Sequence, residues 1–131
     1  MRRRTFFKTL LALAALPWLA TRAQAKTARR QLEIQQSPLA GFQYHGGEHV
    51  WESLRVGDPL ALVREPHNPY DEQAVALYWQ GVKLGYVPRD ENTAVAQMLD
   101  RGERLSARIV HLRKSSDPWQ RVRFRIFCER S

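Results

Sequence analysis

Two short alternating apolar runs, Ala74 to Trp79 and Val82 to Tyr86, flank the dipeptide Gln80-Gly81. Side chains alternate between faces along a strand, so Val75, Leu77 and Trp79 share one face, and Val82, Leu84 and Tyr86 share one face of the return run. A two-residue link that contains glycine between such runs predicts a β-hairpin. The hairpin is entered through the corner Glu65-Pro66-His67-Asn68-Pro69-Tyr70-Asp71. Its two prolines fix their own φ and push Glu65 and Asn68 towards extended backbone. Such a corner is stiff and can hold side chains in one place.

The rest of the chain reads as strands around that hairpin. Leu39 to His45 is expected to be a first strand, ended by Gly46-Gly47, and Leu60 to Arg64 a second. His49 to Arg55 has room for one helical turn with Val50, Trp51 and Leu54 on one side. Asp90 is placed to cap a helix, with Glu91 at the positive end of its dipole. Ala94, Val95, Met98 and Leu99 fall on one face of that helix, and Arg101-Gly102 is its stop signal. Leu105 to Leu112 is another strand. In the last run Val122, Phe124, Ile126 and Cys128 alternate with Arg121, Arg123 and Arg125, so the apolar set should face inward. The expectation is a mainly β fold: a small, mostly antiparallel barrel with one clear helix and room for a second short one.

A chain of 131 residues has room for one domain. Residues 1–25 read as a cleaved export signal: Arg2, Arg3, Arg4 and Lys8 form a basic head, Leu10 to Ala20 is apolar, and Ala23-Gln24-Ala25 is a cleavage site. Pro17 interrupts the apolar run, which is too short to span a bilayer, so no membrane span is expected after cleavage. Arg3-Arg4-Thr5-Phe6-Phe7-Lys8 is similar to a twin-arginine signal, which predicts a periplasmic or secreted protein. Removing the signal's five basic residues from the 21 in the chain leaves 16 against 13 acidic residues, a net charge of +3 rather than +8. Attraction to polyanions must then come from local clustering. Residues 26–37 are a polar linker or a short strand, and 38–131 the domain. Cys128 is the sole cysteine, so no intramolecular disulfide is expected, and its strand-like surroundings suit a buried small hydrophobe.

The residues offer little for catalysis. His45, His49, His67 and Asp71 match no zinc spacing, and neither a glycine-rich phosphate loop nor a nucleophile elbow is present. No cofactor is expected, and a zinc-dependent hydrolase acting on phosphoanhydrides is the remote alternative. Tyr70-Asp71 carries two readings. In one, the ring stacks on a base and the carboxylate accepts a hydrogen bond from a terminal hydroxyl. In the other, Asp71 closes an Asx-type turn and Tyr70 packs. Arg121, Arg123 and Arg125 could track a phosphate backbone or form a solvated face that protects an edge strand.

Residues 39–129 resemble the HIRAN domain family. The resemblance rests on Arg64-Glu65-Pro66, Asn68-Pro69-Tyr70-Asp71, Ala74-Val75, Gly81, Leu84-Gly85-Tyr86-Val87-Pro88, Asp100-x-Gly102 and the strand from Leu105. It implies an OB-like β-barrel and a non-catalytic module that binds single-stranded DNA at its 3′ end, by stacking and by hydrogen bonds to the free hydroxyl. By position in the motifs it implies ligand contacts from Tyr44, Tyr70, Asp71 and Tyr86, with Asn68 and His67 beside them. Phosphate contacts would fall to Arg64, Arg121, Arg123 and Arg125. Gln43 stands where DNA-binding members can carry a basic residue. The rival expectation is an exported module that keeps the fold and binds another ligand or a periplasmic protein partner.

Overall fold

The computed structural model describes residues 30–130. The expected export signal, and the start of the 26–37 segment, lie outside the described residues. Six strands make up one sheet: β1 (Arg30–Pro38), β2 (Pro59–Glu65), β3 (Ala74–Trp79), β4 (Val82–Tyr86), β5 (Leu105–Leu112) and β6 (Val122–Arg130). Their order across the sheet is β1-β6-β5-β2-β3-β4. The linker-or-strand segment is therefore a strand from Arg30 onwards.

The hairpin forms as its pattern demands. Gln80 and Gly81 take φ of 45° and 81°, the left-handed pair that matches the twist of the flanking strands. Trp79 pairs with Val82, and a register shift after Leu77 sets that residue opposite Gly85. β3 is central in its half of the sheet, with Ala74, Val75, Ala76 and Leu77 all buried. β2 runs antiparallel to β3 from Ala61–Tyr78 to Glu65–Ala74. It meets β5 only at Pro59–Arg108 and Leu60–Ala107. In β6, Val122, Phe124, Ile126 and Cys128 point into the core as the alternation predicts.

The mainly β, OB-like expectation holds, but the sheet does not close as a barrel. No ladder joins β4 to β1. The chain leaving β1 instead passes from β6, where Leu39 N donates to Val122 O at 2.9 Å, to a single bridge between Ala40 and Tyr86. Gly85 makes that bridge possible, because a Cβ there would collide with the Ala40 carbonyl oxygen. Side chains reinforce the seam: Ser37 Oγ donates to Glu91 Oε1 at 2.8 Å, and Gln35 Nε2 donates to Glu91 O at 2.8 Å.

The expected first strand from Leu39 to His45 thus shrinks to one bridge. Gly41 turns left-handed at φ 75°, and Phe42–Tyr44 becomes a 3-10 turn with Phe42 fully buried. A short helix α1 (Gly47–Val50) and a 3-10 turn at Trp51–Ser53 follow, setting Val50, Trp51 and Leu54 against the core. The second helix starts later than expected. Arg89–Glu91 is a 3-10 turn, and α2 spans Thr93–Asp100 with Asn92 at its cap position. Its buried face is Val95 and Ala96 with Leu99 packed behind, while Ala94 is exposed. The stop is as expected: Gly102 has φ 82°, and Gly102 N and Glu103 N donate to Leu99 O and Met98 O, each at 3.0 Å.

Candidate functional site

The corner before β3 is held by its own polar groups. Asn68 Oδ1 accepts from Tyr70 N at 2.9 Å, and Asp71 Oδ1 accepts from Gln73 N at 2.9 Å, each closing an Asx-type turn. Asp71 Oδ2 accepts from Asn92 Nδ2 at 2.7 Å, which ties the corner to the start of α2. Each carboxylate oxygen of Asp71 has one internal donor, which leaves further lone pairs open to a ligand. Asn92 is buried, and its Oδ1 has no hydrogen-bond partner among the described residues.

Beside the corner lies a groove of about 420 Å³. Its lining is drawn from three places. Tyr44 and His45 come from the turn after Gly41, Asn68, Pro69, Tyr70 and Asp71 from the corner, and Tyr86, Val87 and Arg89 from the end of β4 and the chain just after it, with Ala40 and Ala74 completing it. A more polar hollow of about 370 Å³ shares the corner residues and Arg89 with the groove. Tyr44 and Tyr70 are 78% and 83% exposed, so neither ring packs into the core; they are apolar surface held beside an apolar groove.

Below the rim, Tyr86 is pinned. Its hydroxyl donates to Glu65 Oε1 at 2.8 Å and accepts from Lys83 Nζ at 2.6 Å, while Lys83 also donates to Glu65 Oε2 at 2.7 Å. Asn68 Nδ2 adds a bond to Glu65 Oε1 at 3.0 Å. The Lys83 ammonium stands 4.5 Å from the centroid of the Tyr86 ring, and His45 meets that ring edge-on at 5.5 Å. Burial alone would push the Glu65 carboxyl up, but hydrogen bonds from Lys83, Asn68 and Tyr86 outweigh it and hold Glu65 below its ordinary value. Burial would push Lys83 down, but its bonds to Glu65 and Tyr86 raise it. Burial raises the Tyr86 phenol, in keeping with its donor role. Burial, then the Lys83 charge, lower His45, which favours a neutral imidazole.

Of the expected contact residues, the structure brings Tyr44, Asn68, Tyr70, Asp71 and Tyr86 to one groove. His67 is exposed on the corner and is not part of the lining. The four expected phosphate-contact arginines lie elsewhere. Arg64 grips Asp100 through Nε and Nη2 at 2.9 and 3.2 Å and donates to Ala74 O, which holds the Asp100 carboxyl below its usual range. Arg121 donates to Ser115 O and pairs with Glu48. Arg125 bonds Gln36 and pairs with Glu33 at 3.4 Å. Arg123 is half-buried on β6 opposite His111. Arg121 also precedes β6 and sits in helical backbone, so it is out of phase with the other two. Sequence reasoning missed Arg89, which is exposed at the groove and makes no ion pair among the described residues. The available signal was its place directly after the Val87-Pro88 step. Also among the described residues, no group of three or more His, Cys, Asp or Glu side chains gathers as a metal site would require.

Known proteins share this architecture. A crystal structure of a protein from Lactobacillus plantarum superposes with a TM-score of 0.68 at 25% identity, over 79% of this chain and 100% of that one. The crystal structure of the HIRAN domain of human HLTF superposes with a TM-score of 0.60 at 17% identity, over 77% of this chain and 81% of that one. Among curated proteins, none matches. The HIRAN domain family model matches residues 32–130, from β1 to the end of β6. That span takes in the corner, the hairpin, the bridge at Gly85 and every residue of the groove, and the chain belongs to the HIRAN domain family.

Proposed function

We propose that the groove takes the 3′ end of a single-stranded nucleic acid, as a binding module without catalysis. The observation that carries this reading is the pair of exposed rings, Tyr44 and Tyr70, held on separate segments beside an apolar groove. Stacking on aromatic rings is the sequence-tolerant way to hold an unpaired base and contributes about 1–3 kcal/mol per base. The polar groups suit the backbone at an end. Asp71 has acceptor capacity left for a terminal hydroxyl, and a carboxylate there repels a terminal phosphate. Arg89, shared by the groove and the polar hollow, supplies a cation for an internucleotide phosphate. Glu65, Lys83 and Tyr86 are bonded to one another and serve as scaffold for the groove.

The proposal includes export. Its support is the basic head Arg2-Arg3-Arg4, the apolar run and the site Ala23-Gln24-Ala25. An exported protein meets nucleic acid outside the cytoplasm, or uses the same groove for a protein partner. Fluorescence anisotropy with short single strands decides between these: free 3′ hydroxyl strands should bind more tightly than 3′-phosphorylated ones. Equal affinity for both rejects end recognition, and no binding at low salt promotes the partner reading.

A further inference from the structure

We propose that Arg121 is a positioning residue for Tyr44, a clamp behind the groove that sets the exposed ring without touching the ligand; this rests on the groove reading above. The guanidinium joins three segments. Nε donates to Ser115 O at 2.8 Å, in the loop before β6. Nη1 pairs with Glu48 in α1. The guanidinium carbon lies 5.6 Å from the ring centroids of both Phe42 and Trp51. Those two rings meet edge-to-face at 5.7 Å.

Phe42 is what links the clamp to the site. It is fully buried and opens the 3-10 turn whose last residue is Tyr44. Gly47 lies so close to the Phe42 ring that no larger residue would fit without a shift. With Phe42 held between α1 and Arg121, the turn has one seat, and Tyr44 is carried outward over Gly41. The same turn packs against the Pro118–Gln120 turn, whose return chain is fixed by Arg113 N donating to Arg121 O at 2.9 Å. A planar guanidinium can stack on two rings and bond two acceptors at once; an ammonium cannot.

Arg121→Lys separates this role from a phosphate contact, because it keeps the charge and loses the plane. Hydrogen exchange read at residues 42–46 should quicken while β3 and β5 keep their protection. Affinity for a free-ended single strand should fall by about threefold to tenfold, less than loss of a whole stacking ring, with an unchanged salt slope. In a Tyr44→Ala background the same change should cost nothing more, because a clamp that acts through Tyr44 has nothing left to place. Glu48→Gln is the second arm. Removing an acid favours a polyanion by simple electrostatics, whereas loosening the clamp weakens binding. Unchanged exchange at 42–46 overturns the proposal, as does an equal affinity loss without Tyr44 or tighter binding by the Glu48→Gln variant. A parent protein that binds no oligonucleotide refutes the groove reading, and the exchange result then decides the clamp alone.

Discussion

Asn92 donates its side-chain amide to Asp71 Oδ2 at 2.7 Å, so the residue at the cap position of α2 holds the carboxylate of the corner. The cap position makes no side-chain bond to its own helix. Asn92→Ala removes a buried partner and should lower stability by about 1–3 kcal/mol in urea melts. It should also weaken the preference for a free 3′ end by letting the Asp71 carboxylate turn. Full retention of that preference would show that Gln73 N alone orients Asp71.

The Glu65–Lys83–Tyr86 network predicts a stability plateau with two edges. Glu65 is held below its ordinary value of 4.5, so its contribution is complete above that pH and is lost as pH falls through the lowered folded value. Lys83 and Tyr86 are raised above 10.5 and 10.0, so theirs are complete below pH 10 and are lost as pH rises through the raised folded values. Urea melts across pH should show both edges. Glu65→Gln should flatten the acid edge relative to the parent, and Lys83→Met should remove the Lys83 share of the alkaline edge while the half-buried Tyr86 keeps its own.

Gly85 tests the seam. Gly85→Ala drives a methyl into the Ala40 carbonyl and the Leu39 side chain, both across the bridge. The expected cost is about 1–3 kcal/mol of strain, with faster exchange at the Ala40 and Tyr86 amides, which donate across the bridge at 2.9 Å. A neutral result would mean that the seam already opens in solution.

The groove residues should separate by role. Tyr70→Ala should cost about 1–3 kcal/mol of binding to a single strand whatever its terminus. Asp71→Ala should narrow the gap between hydroxyl and phosphate ends more than it weakens binding overall. Arg89→Ala should weaken both ends alike and reduce the salt slope by about one. Anisotropy titrations at several salt concentrations read all three.

Export predicts a mature chain that starts at Lys26. Mass spectrometry of the protein from an extracytoplasmic fraction checks this, and intact Met1 protein in the cytosol contradicts it. Changing Arg3 and Arg4 to lysine should stop export through a twin-arginine route and leave a general secretory route working.

The hairpin, the inward face of β6 and the stop at Gly102 were legible in the sequence because each depends on neighbours a few residues apart. A period of two, a glycine able to take positive φ and a turn dipeptide act within one segment, whatever packs on it. The family resemblance lay in the same local motifs, and with it the meeting of Tyr44, Tyr70 and Tyr86. What only the tertiary structure decided were the pairings between segments. The strand order β1-β6-β5-β2-β3-β4 brings Glu33 to Arg125, and packing of α2 on β2 brings Asp100 to Arg64. Packing of α1 brings Glu48 to Arg121, and Arg89 is left at the groove with no ion pair among the described residues. Asp90 is the cap that its side chain and position predict. Asn92 took the position because Pro88 leads into a 3-10 turn and Glu91 is drawn to Ser37 across the seam. A charge or an amide will satisfy any complementary group that comes within reach, and reach is set by the folded chain, which periodicity does not encode.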